Sequence, residues 1–213
     1  MASPARPESP RNSAAPRRLV IATGNRGKLR EFRALLAGLP FELTSSAELD
    51  LPLPAETGAT FLANALLKAR HAASLSGLAA IADDSGLEVD ALNGAPGIYS
   101  ARYAGSAQDD AANNAKLLRA LVGVPQERRQ ARYRCALVFV ESAMDAAPLI
   151  AEADWQGFIL DTPRGDGGFG YDSFFWLPEL GKTAAELPPE EKNRLSHRGK
   201  ALRTLREQLA ARL

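Results

Sequence analysis

Two adjacent aspartates at the end of an apolar run are the feature that most constrains how this chain folds. Residues 78–82 are all apolar and predict a short buried strand, and Asp83 and Asp84 follow directly. Gly86 then predicts a tight turn before a second strand over residues 87–89. Neighbouring side chains on extended backbone point to opposite faces, so we expect the two carboxylates to do different jobs. Ligand groups gather at strand ends in α/β sheets, although an Asp-Asp-Ser-Gly surface turn has the same composition.

The overall composition limits the class of protein. Of the 213 residues, 46% are hydrophobic and 24% are charged, as in an ordinary globular protein. The net charge of +1 creates no field that would attract nucleic acid or an anionic membrane. The longest apolar run, residues 135–140, is too short to cross a bilayer. A single cysteine excludes an internal disulfide and suits a reducing compartment, so we expect a cytoplasmic protein. From the charge and the short apolar runs we expect no nucleic-acid or membrane partner.

The N-terminal residues differ from the rest of the chain. Residues 1–17 are rich in Pro, Ser, Ala and Arg and have no apolar periodicity, so they predict a disordered tail. They contain no apolar core of a secretory signal. Residues 18–213 mix strand and helix patterns and predict a single α/β domain.

A glycine-containing loop between a strand and a helix forms a candidate anion site. Residues 18–22 predict the strand, and the following helix has Leu29, Phe32 and Leu36 on one face. Free backbone N–H groups at the helix N-terminus would face an anion, with Lys28 as a point charge. The loop is not a P-loop, because Leu29 stands where Ser or Thr is needed to hold magnesium. An ordinary strand-to-helix turn remains the alternative. The loop comprises Thr23, Gly24, Asn25, Arg26, Gly27 and Lys28.

Two further charged residues flank a second predicted helix. Thr57 would cap a helix over residues 58–75, with Glu56 just before the cap and Lys68 projecting from the helix. Taken singly, each of these two charges is interpreted as a solvated surface group. Downstream, the pattern predicts a helix over residues 108–122 and long strands over residues 131–141 and 149–160.

A second glycine-rich loop carries aromatic residues. Residues 165–170 match G-x-G-x-x-G, but we reject a dinucleotide site because the chain continues as a strand over residues 171–176. The loop instead presents Phe169, Tyr171 and Asp172. Aromatic side chains on such a loop are suited to stacking a base, with packing in the core as the alternative.

Hydrogen-bond donors crowd the start of the last predicted helix, which Ser196 would cap. The donors are Lys192, His197 and Arg198. The helix dipole disfavours cations in the first turn of a helix. An acceptor-rich ligand therefore explains these residues better than a structural role does.

In this order, these blocks closely resemble the noncanonical purine nucleoside triphosphate pyrophosphatases (inosine/xanthosine triphosphate pyrophosphatases, HAM1-like). The resemblance extends from about Leu19 to the C-terminus, and the combination is specific although each block alone is weak. Ser173 stands where family members commonly carry proline, which would loosen that loop. The matching blocks are residues 23–28, 56–58, 64–71, 82–105, 167–172, 183–187 and 196–199.

The resemblance implies both a fold and a reaction. The fold is an elongated α/β structure with a long central mixed sheet flanked by helices and an active-site cleft between two lobes. The reaction is the Mg²⁺-dependent cleavage of ITP, dITP and XTP to the nucleoside monophosphate and pyrophosphate. The resemblance also implies a homodimer.

The same resemblance assigns roles to individual residues. Asp84 would be the proton acceptor and a ligand of the metal, and Glu56 and Asp83 would complete the metal site. Hard carboxylate oxygens are the ligands that Mg²⁺ prefers. The residues that would bind the triphosphate are Thr23, Gly24, Asn25, Arg26, Gly27, Lys28, Lys68 and Ser85. The base pocket would consist of Phe169, Gly170, Tyr171, Asp172, Lys192, His197 and Arg198.

The donors of the base pocket predict its selectivity. Lys192 and Arg198 can only donate hydrogen bonds, and His197 can donate from one ring nitrogen. Hypoxanthine and xanthine offer a carbonyl at C6, whereas adenine offers an amino group there. Guanine shares the carbonyl, so its exclusion needs a second device.

Two alternatives remain at this point. Maf-like nucleotide pyrophosphatases share the architecture but prefer other bases, and the blocks at residues 169–172 and 196–198 argue against them. A non-catalytic nucleotide-binding module would be expected to lose its carboxylates, whereas Glu56, Asp83 and Asp84 are all present.

Overall fold

One mixed β-sheet organises the part of the chain that the computed structural model describes, residues 17–105 and 109–212. Its strands are β1 (Arg17–Ile21), β2 (Phe41–Ser45), β3 (Ala79–Val89), β4 (Gln130–Val140), β5 (Leu149–Ile159), β6 (Phe175–Leu177) and β7 (Lys182–Thr183). Their spatial order is β2-β1-β3-β4-β5-β6-β7. β1 is parallel to β2 and β3, and the later pairs are antiparallel. The predicted α/β class with a mixed sheet is confirmed.

Helices cover both faces of this sheet. They are α1 (Arg26–Leu36), α2 (Phe61–Ser76), α3 (Asp110–Ala120), α4 (Pro189–Leu195) and α5 (His197–Arg212). In β1, Leu19 and Ile21 pack with α1 and α5, whereas Val20 packs with α2. This alternation follows from the two-residue period of a strand, and it places α2 opposite α1 and α5. Among the described helices, none combines the length and the apolar character needed to cross a membrane.

The buried face of α2 consists largely of alanine. Ala65, Ala69 and Ala72 pack against Ala82 of β3 and Ala136 of β4. Because alanine side chains are short, the helix lies close to the strands, and its polar residues can reach side chains that project from the sheet.

A third core cluster lies at the other end of the long strands. Leu87 of β3, Tyr133 of β4 and Trp155 of β5 pack there with Leu121, which follows α3. Burying an aromatic or leucine side chain contributes about 1.5–3 kcal/mol, so this cluster fixes the far end of the sheet. The division into two lobes with a cleft between them stays a prediction.

The prediction of a turn at Gly86 is wrong. β3 is a continuous eleven-residue strand that pairs with β4 from Ala80 to Val89. Gly86 is required there by a close approach of another segment, because a Cβ would lie 2.4 Å from the carbonyl oxygen of Gly97 and 2.5 Å from Ser100 Oγ. The two aspartates therefore lie inside a strand rather than at its end.

Several predicted boundaries also move. α2 begins three residues later than expected, because Thr60 rather than Thr57 caps it, with Oγ1 accepting from the Ala63 N–H at 3.1 Å. Residues 171–174 form turns, and only Phe175–Leu177 is a strand. As predicted from the sequence, the described residues directly after the G-x-G-x-x-G loop form turns and a short strand rather than a helix.

Two predictions fall partly or wholly on residues outside the described part of the chain. The predicted tail covers residues 1–17, of which Arg17 is the first residue of β1 and residues 1–16 are not described. The predicted helix over residues 108–122 is α3, which begins at Asp110 with Asp109 as its cap; Gln108 lies outside the described residues.

Candidate active site

Asp83 lies at the centre of a cluster of donors on one face of β3. Its Oδ2 atom lies 2.9 Å from Lys28 Nζ, 2.9 Å from Ser85 Oγ and 3.2 Å from Arg198 Nε. The side chain is buried, and Oδ1 has no hydrogen-bond partner among the described residues. Asp83 therefore connects the first turn of α1 to the start of α5 on the same face of the sheet.

Asp84 faces α2 on the opposite side of β3. Lys68 Nζ lies 2.7 Å from its Oδ1, and Asn64 Nδ2 donates to its Oδ2 at 3.2 Å. The same Lys68 ammonium lies 3.0 Å from Glu56 Oε1, and Arg102 pairs with the other oxygen of Glu56. One cation therefore bridges the two carboxylates that are predicted to share a metal ion.

The pKa values of the two aspartates move in opposite directions. Burial alone would raise the pKa of Asp83, but Lys28 and Arg198 outweigh it and hold the pKa below its ordinary value. Burial raises the pKa of Asp84 above its ordinary value, although Lys68 opposes that change. Asp83 thus stays a fixed negative charge, and Asp84 becomes the stronger base of the two.

The loop before α1 has the geometry of an N-cap. Asn25 Oδ1 accepts from the N–H groups of Gly27 at 2.8 Å and Lys28 at 3.0 Å, and Thr23 Oγ1 accepts from Asn25 N–H at 3.1 Å. Gly24, Asn25 and Arg26 are exposed to solvent. The helix N-terminus is therefore open to an anion, although the Asn25 side chain already satisfies two of its N–H groups.

The predicted base-pocket cations are balanced by acids. Lys192 Nζ lies 2.6 Å from Asp172 Oδ2 and 3.5 Å from Glu31 Oε1, and Arg198 also pairs with Glu31. The Phe169 ring lies over both cations, 4.7 Å from Lys192 Nζ and 5.8 Å from the Arg198 guanidinium carbon. An aromatic face over a cation is attractive, and stacking of a base on Phe169 stays a prediction.

Phe169 also contacts the first turn of α1, so the predicted triphosphate and base subsites are adjacent. A Cβ on Gly27 would lie 2.7 Å from Phe169 Cδ1. The loop that carries Phe169 is anchored on α3, because Gly170 N–H donates to Asp110 Oδ2 at 2.7 Å and Asn114 Nδ2 donates to Gly170 O at 2.8 Å.

The His197 and Tyr171 side chains are buried and make specific contacts within the protein. The His197 ring stacks on Tyr133 with centroids 4.8 Å apart and an angle of 8°. Burial, followed by Arg198 and Lys192, lowers the pKa of His197 well below its ordinary value, so its ring is neutral at pH 7. Tyr171 packs in the core and donates to Ser100 O at 2.7 Å.

Most predicted residues of the loop and base pocket gather around one cavity of about 90 Å³. Two larger hollows, of about 540 and 750 Å³, are lined by none of the predicted site residues. Glu56, Lys68 and Asp84 lie on the other face of β3 and do not line the small cavity. The predicted residues that line it are Asn25, Lys28, Ser85, Phe169, Gly170, Tyr171, Asp172, Lys192, His197 and Arg198.

Three polar residues of this region escaped the sequence analysis: Glu31, Asn64 and Arg102. Glu31 lies three residues after Lys28 on α1, and Asn64 lies four residues before Lys68 on α2. Residues three or four apart share a helix face, so this spacing was a usable indication in both cases. Arg102 carried no such indication, because its partner Glu56 is 46 residues away.

The carboxylates fit a metal site only in part. Within residues 17–105 and 109–212, no three His, Cys, Asp or Glu side chains converge on a point where they could hold a metal. Glu56 and Asp84 both form ion pairs with the Lys68 ammonium, so two carboxylate oxygens that could bind a metal are near each other. Mg²⁺ in phosphate-handling sites commonly takes one or two carboxylates and completes its shell with phosphate oxygens and waters. The donor set suits that arrangement.

A helix N-terminus, paired carboxylates and a set of buried cations beside a mixed sheet are features of α/β proteins that bind phosphorylated ligands. Within this class, the chain belongs to the Ham1 family, whose model matches residues 19–208.

Relatives match nearly the whole chain. A dITP/XTP pyrophosphatase of Xanthomonas oryzae pv. oryzae is 58% identical over 193 residues, which is 91% of this chain and 97% of that protein. A dITP/XTP pyrophosphatase of Methylococcus capsulatus is 56% identical over 92% of this chain and 97% of its own length. The solved structure of a HAM1 protein from Coxiella burnetii is 46% identical with a TM-score of 0.85, covering 92% of this chain and 99% of that chain.

Proposed function

We propose that this protein is a nucleoside triphosphate pyrophosphatase that hydrolyses ITP, dITP and XTP to the nucleoside monophosphate and pyrophosphate. The observation that carries the proposal is the arrangement of charge around β3, where Asp84 shares Lys68 with Glu56 on one face while Lys28 and Arg198 surround Asp83 on the other. This arrangement occurs in a member of the Ham1 family whose relatives are named dITP/XTP pyrophosphatases.

The residues around β3 divide in this proposal into those that bind the triphosphate, the one that accepts a proton and the one that positions the cations. The N–H groups at the start of α1, Lys28 and Lys68 hold the triphosphate and neutralise its charge, which is the main requirement for phosphoanhydride hydrolysis. Asp84 accepts the proton of the attacking water. Asp83 keeps Lys28 and Arg198 in place.

Magnesium is part of this proposal. A bound Mg²⁺ would neutralise phosphate charge and lower the pKa of a coordinated water. Asp84 and Glu56 would hold it, because both carboxylates pair with the Lys68 ammonium and therefore lie near each other. Asp83 faces the other side of β3, and its Oδ1 atom, which has no hydrogen-bond partner among the described residues, is the oxygen it would have available for a metal.

Selectivity for the base follows from donors that the acids leave free. The Lys192 ammonium has three donors, of which Asp172 and Glu31 accept two. The guanidinium of Arg198 has five, of which Asp83, Glu31 and Ser85 accept three. The remaining donors pair with the 6-carbonyl of hypoxanthine or xanthine and are opposed by the amino group of adenine.

Pyrophosphate release from a panel of nucleotides tests the proposal. We expect kcat/KM for ITP, dITP or XTP to exceed that for ATP and GTP by at least about 10²-fold, because a site that hydrogen-bonds a specific group rejects a mismatched one by up to about 10⁴-fold. Equal turnover of ATP and ITP would overturn the donor-pocket argument and favour the Maf-like alternative. Omission of Mg²⁺ should abolish turnover in the same assay.

The assembly and the location of the protein complete the proposal. We expect a homodimer in the cytoplasm that binds the purine nucleoside triphosphate and neither nucleic acid nor a membrane. Light scattering on the purified protein measures the mass, and a monomer at micromolar concentration would contradict the expected dimer.

A further inference from the structure

The segment that carries Glu56 has no regular secondary structure of its own. Residues 51–58 belong to neither a helix nor a strand. If Glu56 and Asp84 act together, something must hold this segment at a fixed distance from β3. Two ion pairs contribute, those of Glu56 with Lys68 and with Arg102, but both act through long flexible side chains.

Asn64 supplies a short and rigid connection between the same two parts. The side chain is fully buried at 0% exposure. Its Oδ1 accepts from Gly58 N–H at 2.7 Å, and its Nδ2 donates to Asp84 Oδ2 at 3.2 Å. The orientation of the amide is fixed, because a backbone N–H can only donate and must therefore meet the oxygen.

The packing around Gly58 confirms that the segment sits tightly against the start of α2. A Cβ on Gly58 would lie 2.7 Å from Asn64 Oδ1, 2.8 Å from Ala63 Cβ and 2.9 Å from Asn64 N. Any side chain at this position would push the segment away from the helix. The glycine is therefore explained by the same connection.

Asn64 and Lys68 together hold both oxygens of Asp84. They lie four residues apart on α2 and so project from one face. Lys68 contacts Oδ1 and Asn64 contacts Oδ2, which fixes the plane of the carboxylate. A carboxylate oxygen has about two acceptor positions, so each oxygen keeps one for the reaction.

We propose that Asn64 is a positioning residue, which aims the Asp84 carboxylate and holds the Glu56 segment beside it through a single buried amide. The inference rests on the proposed function for its catalytic consequence. It goes beyond that function by assigning a specific task to a residue that the proposed function does not use.

The decisive variant is Asn64→Asp. It keeps an oxygen for Gly58 N–H but replaces the donor to Asp84 with a second negative charge. We expect kcat to fall by about 10- to 100-fold, as when the partner of a metal-site ligand is lost, while KM for ITP changes by less than about threefold. Hydrogen exchange at the Gly58 amide should stay as slow as in the wild type. Asn64→Ala removes both contacts, so its Gly58 exchange should accelerate.

Asn113→Asp is the matched control. Asn113 is also buried, accepts from a backbone N–H at 2.7 Å (Ala104) and donates at 3.2 Å, but to the carbonyl oxygen of Ala101 rather than to a carboxylate. Because Asn113 holds the backbone on either side of Arg102, some loss of kcat is expected, but it should be clearly smaller than in Asn64→Asp even if the melting temperature falls as far. Equal losses of kcat in the two variants would overturn the proposal, as would an Asn64→Asp enzyme with wild-type kcat.

A stability cycle provides a readout that does not depend on turnover. In the Asn64→Asp background, Asp84→Asn restores an amide–carboxylate hydrogen bond with the roles exchanged. We expect the double variant to regain at least about half of the melting temperature lost in Asn64→Asp. Additive losses would show that the two side chains are not coupled. If Asn64→Asp does not fold alone, recovery of a folded protein in the double variant is itself the evidence of coupling. Gly58→Ala, whose methyl group would press on Asn64 Oδ1, then replaces Asn64→Asp in the kcat and exchange measurements.

The proposed function and the positioning role of Asn64 can be disproved separately. If the wild type releases no pyrophosphate from any nucleotide, the proposed function is wrong, and the exchange and stability data still decide whether Asn64 connects Gly58 to Asp84. If the wild type is active but Asn64→Asp retains wild-type kcat, the function stands and the positioning role is wrong.

Discussion

Asp83 and Asp84 are neighbours in the chain, yet their carboxylates belong to separate ion-pair networks on opposite faces of β3. Asp83 contacts Lys28 from the α1 side, and Asp84 contacts Lys68 from the α2 side. The two networks also differ in composition, because two cations surround Asp83 whereas Asp84 shares one ammonium with a second carboxylate, that of Glu56. Burial raises the pKa of Asp84, and its shared ammonium does not offset that effect, whereas the cations around Asp83 outweigh burial and lower its pKa.

The first prediction concerns Asp84→Asn. The change removes the proton acceptor, so kcat should fall by at least about 10²-fold. The amide can still accept from Lys68, so the fold should persist, as judged by circular dichroism. Glu88→Gln is the control, because Glu88 lies on the same face of β3 but pairs with Arg132 instead. Turnover of Asp84→Asn within a few-fold of the wild type would remove Asp84 from the mechanism.

The second prediction concerns Arg198→Ala. The variant should narrow the preference for ITP over ATP more than it weakens triphosphate binding, because the lost donors face the base. It should also lower stability by about 3–5 kcal/mol, since Asp83 and Glu31 lose a buried partner. Denaturant titration and the nucleotide panel measure the two effects. Arg132→Ala, which removes a half-exposed ion pair, should leave the ITP:ATP ratio unchanged.

The third prediction concerns the pH dependence of stability. Because the folded pKa of Asp83 lies below its unfolded value, its stabilising contribution is complete above the unfolded pKa of about 3.9 and is lost as pH falls further. The difference in melting temperature between wild type and Asp83→Asn should therefore be largest above about pH 5 and shrink towards pH 3. Asp90→Asn is the control, since Asp90 is exposed. A difference that grows on acidification would contradict the direction of this pKa shift.

The fourth prediction concerns Gly86→Ala. The added methyl group would overlap Gly97 O and Ser100 Oγ, so residues 97–102 must move away from β3. Overpacking of this kind costs about 1–3 kcal/mol, which a urea titration resolves. Turnover should also fall, because Arg102 of this segment pairs with Glu56. An unchanged urea midpoint would show that the segment does not press on the strand.

Local patterns in the sequence predicted the elements and the facing of their side chains. The spacing of Leu29, Phe32 and Leu36 predicted α1, and Phe32 and Leu36 are indeed buried. Alternation along a strand predicted that Asp83 and Asp84 face opposite ways, which is confirmed. These features depend on the period of the backbone alone, which is why a single sequence contains them.

The partners of the charged residues were decided only by tertiary structure. Arg198 meets Asp83 across 115 residues and Glu31 across 167, because α5 packs beside α1 on the same face of the sheet. Gly86 predicts a turn when its neighbours in the chain are considered alone, but pairing with β4 makes it a strand residue, and a segment 11 to 14 positions later leaves no room for a side chain there. A local pattern records which face a side chain occupies. The partner that the side chain meets on that face depends on how distant elements pack together, and the periodicity of the sequence contains no information about that packing.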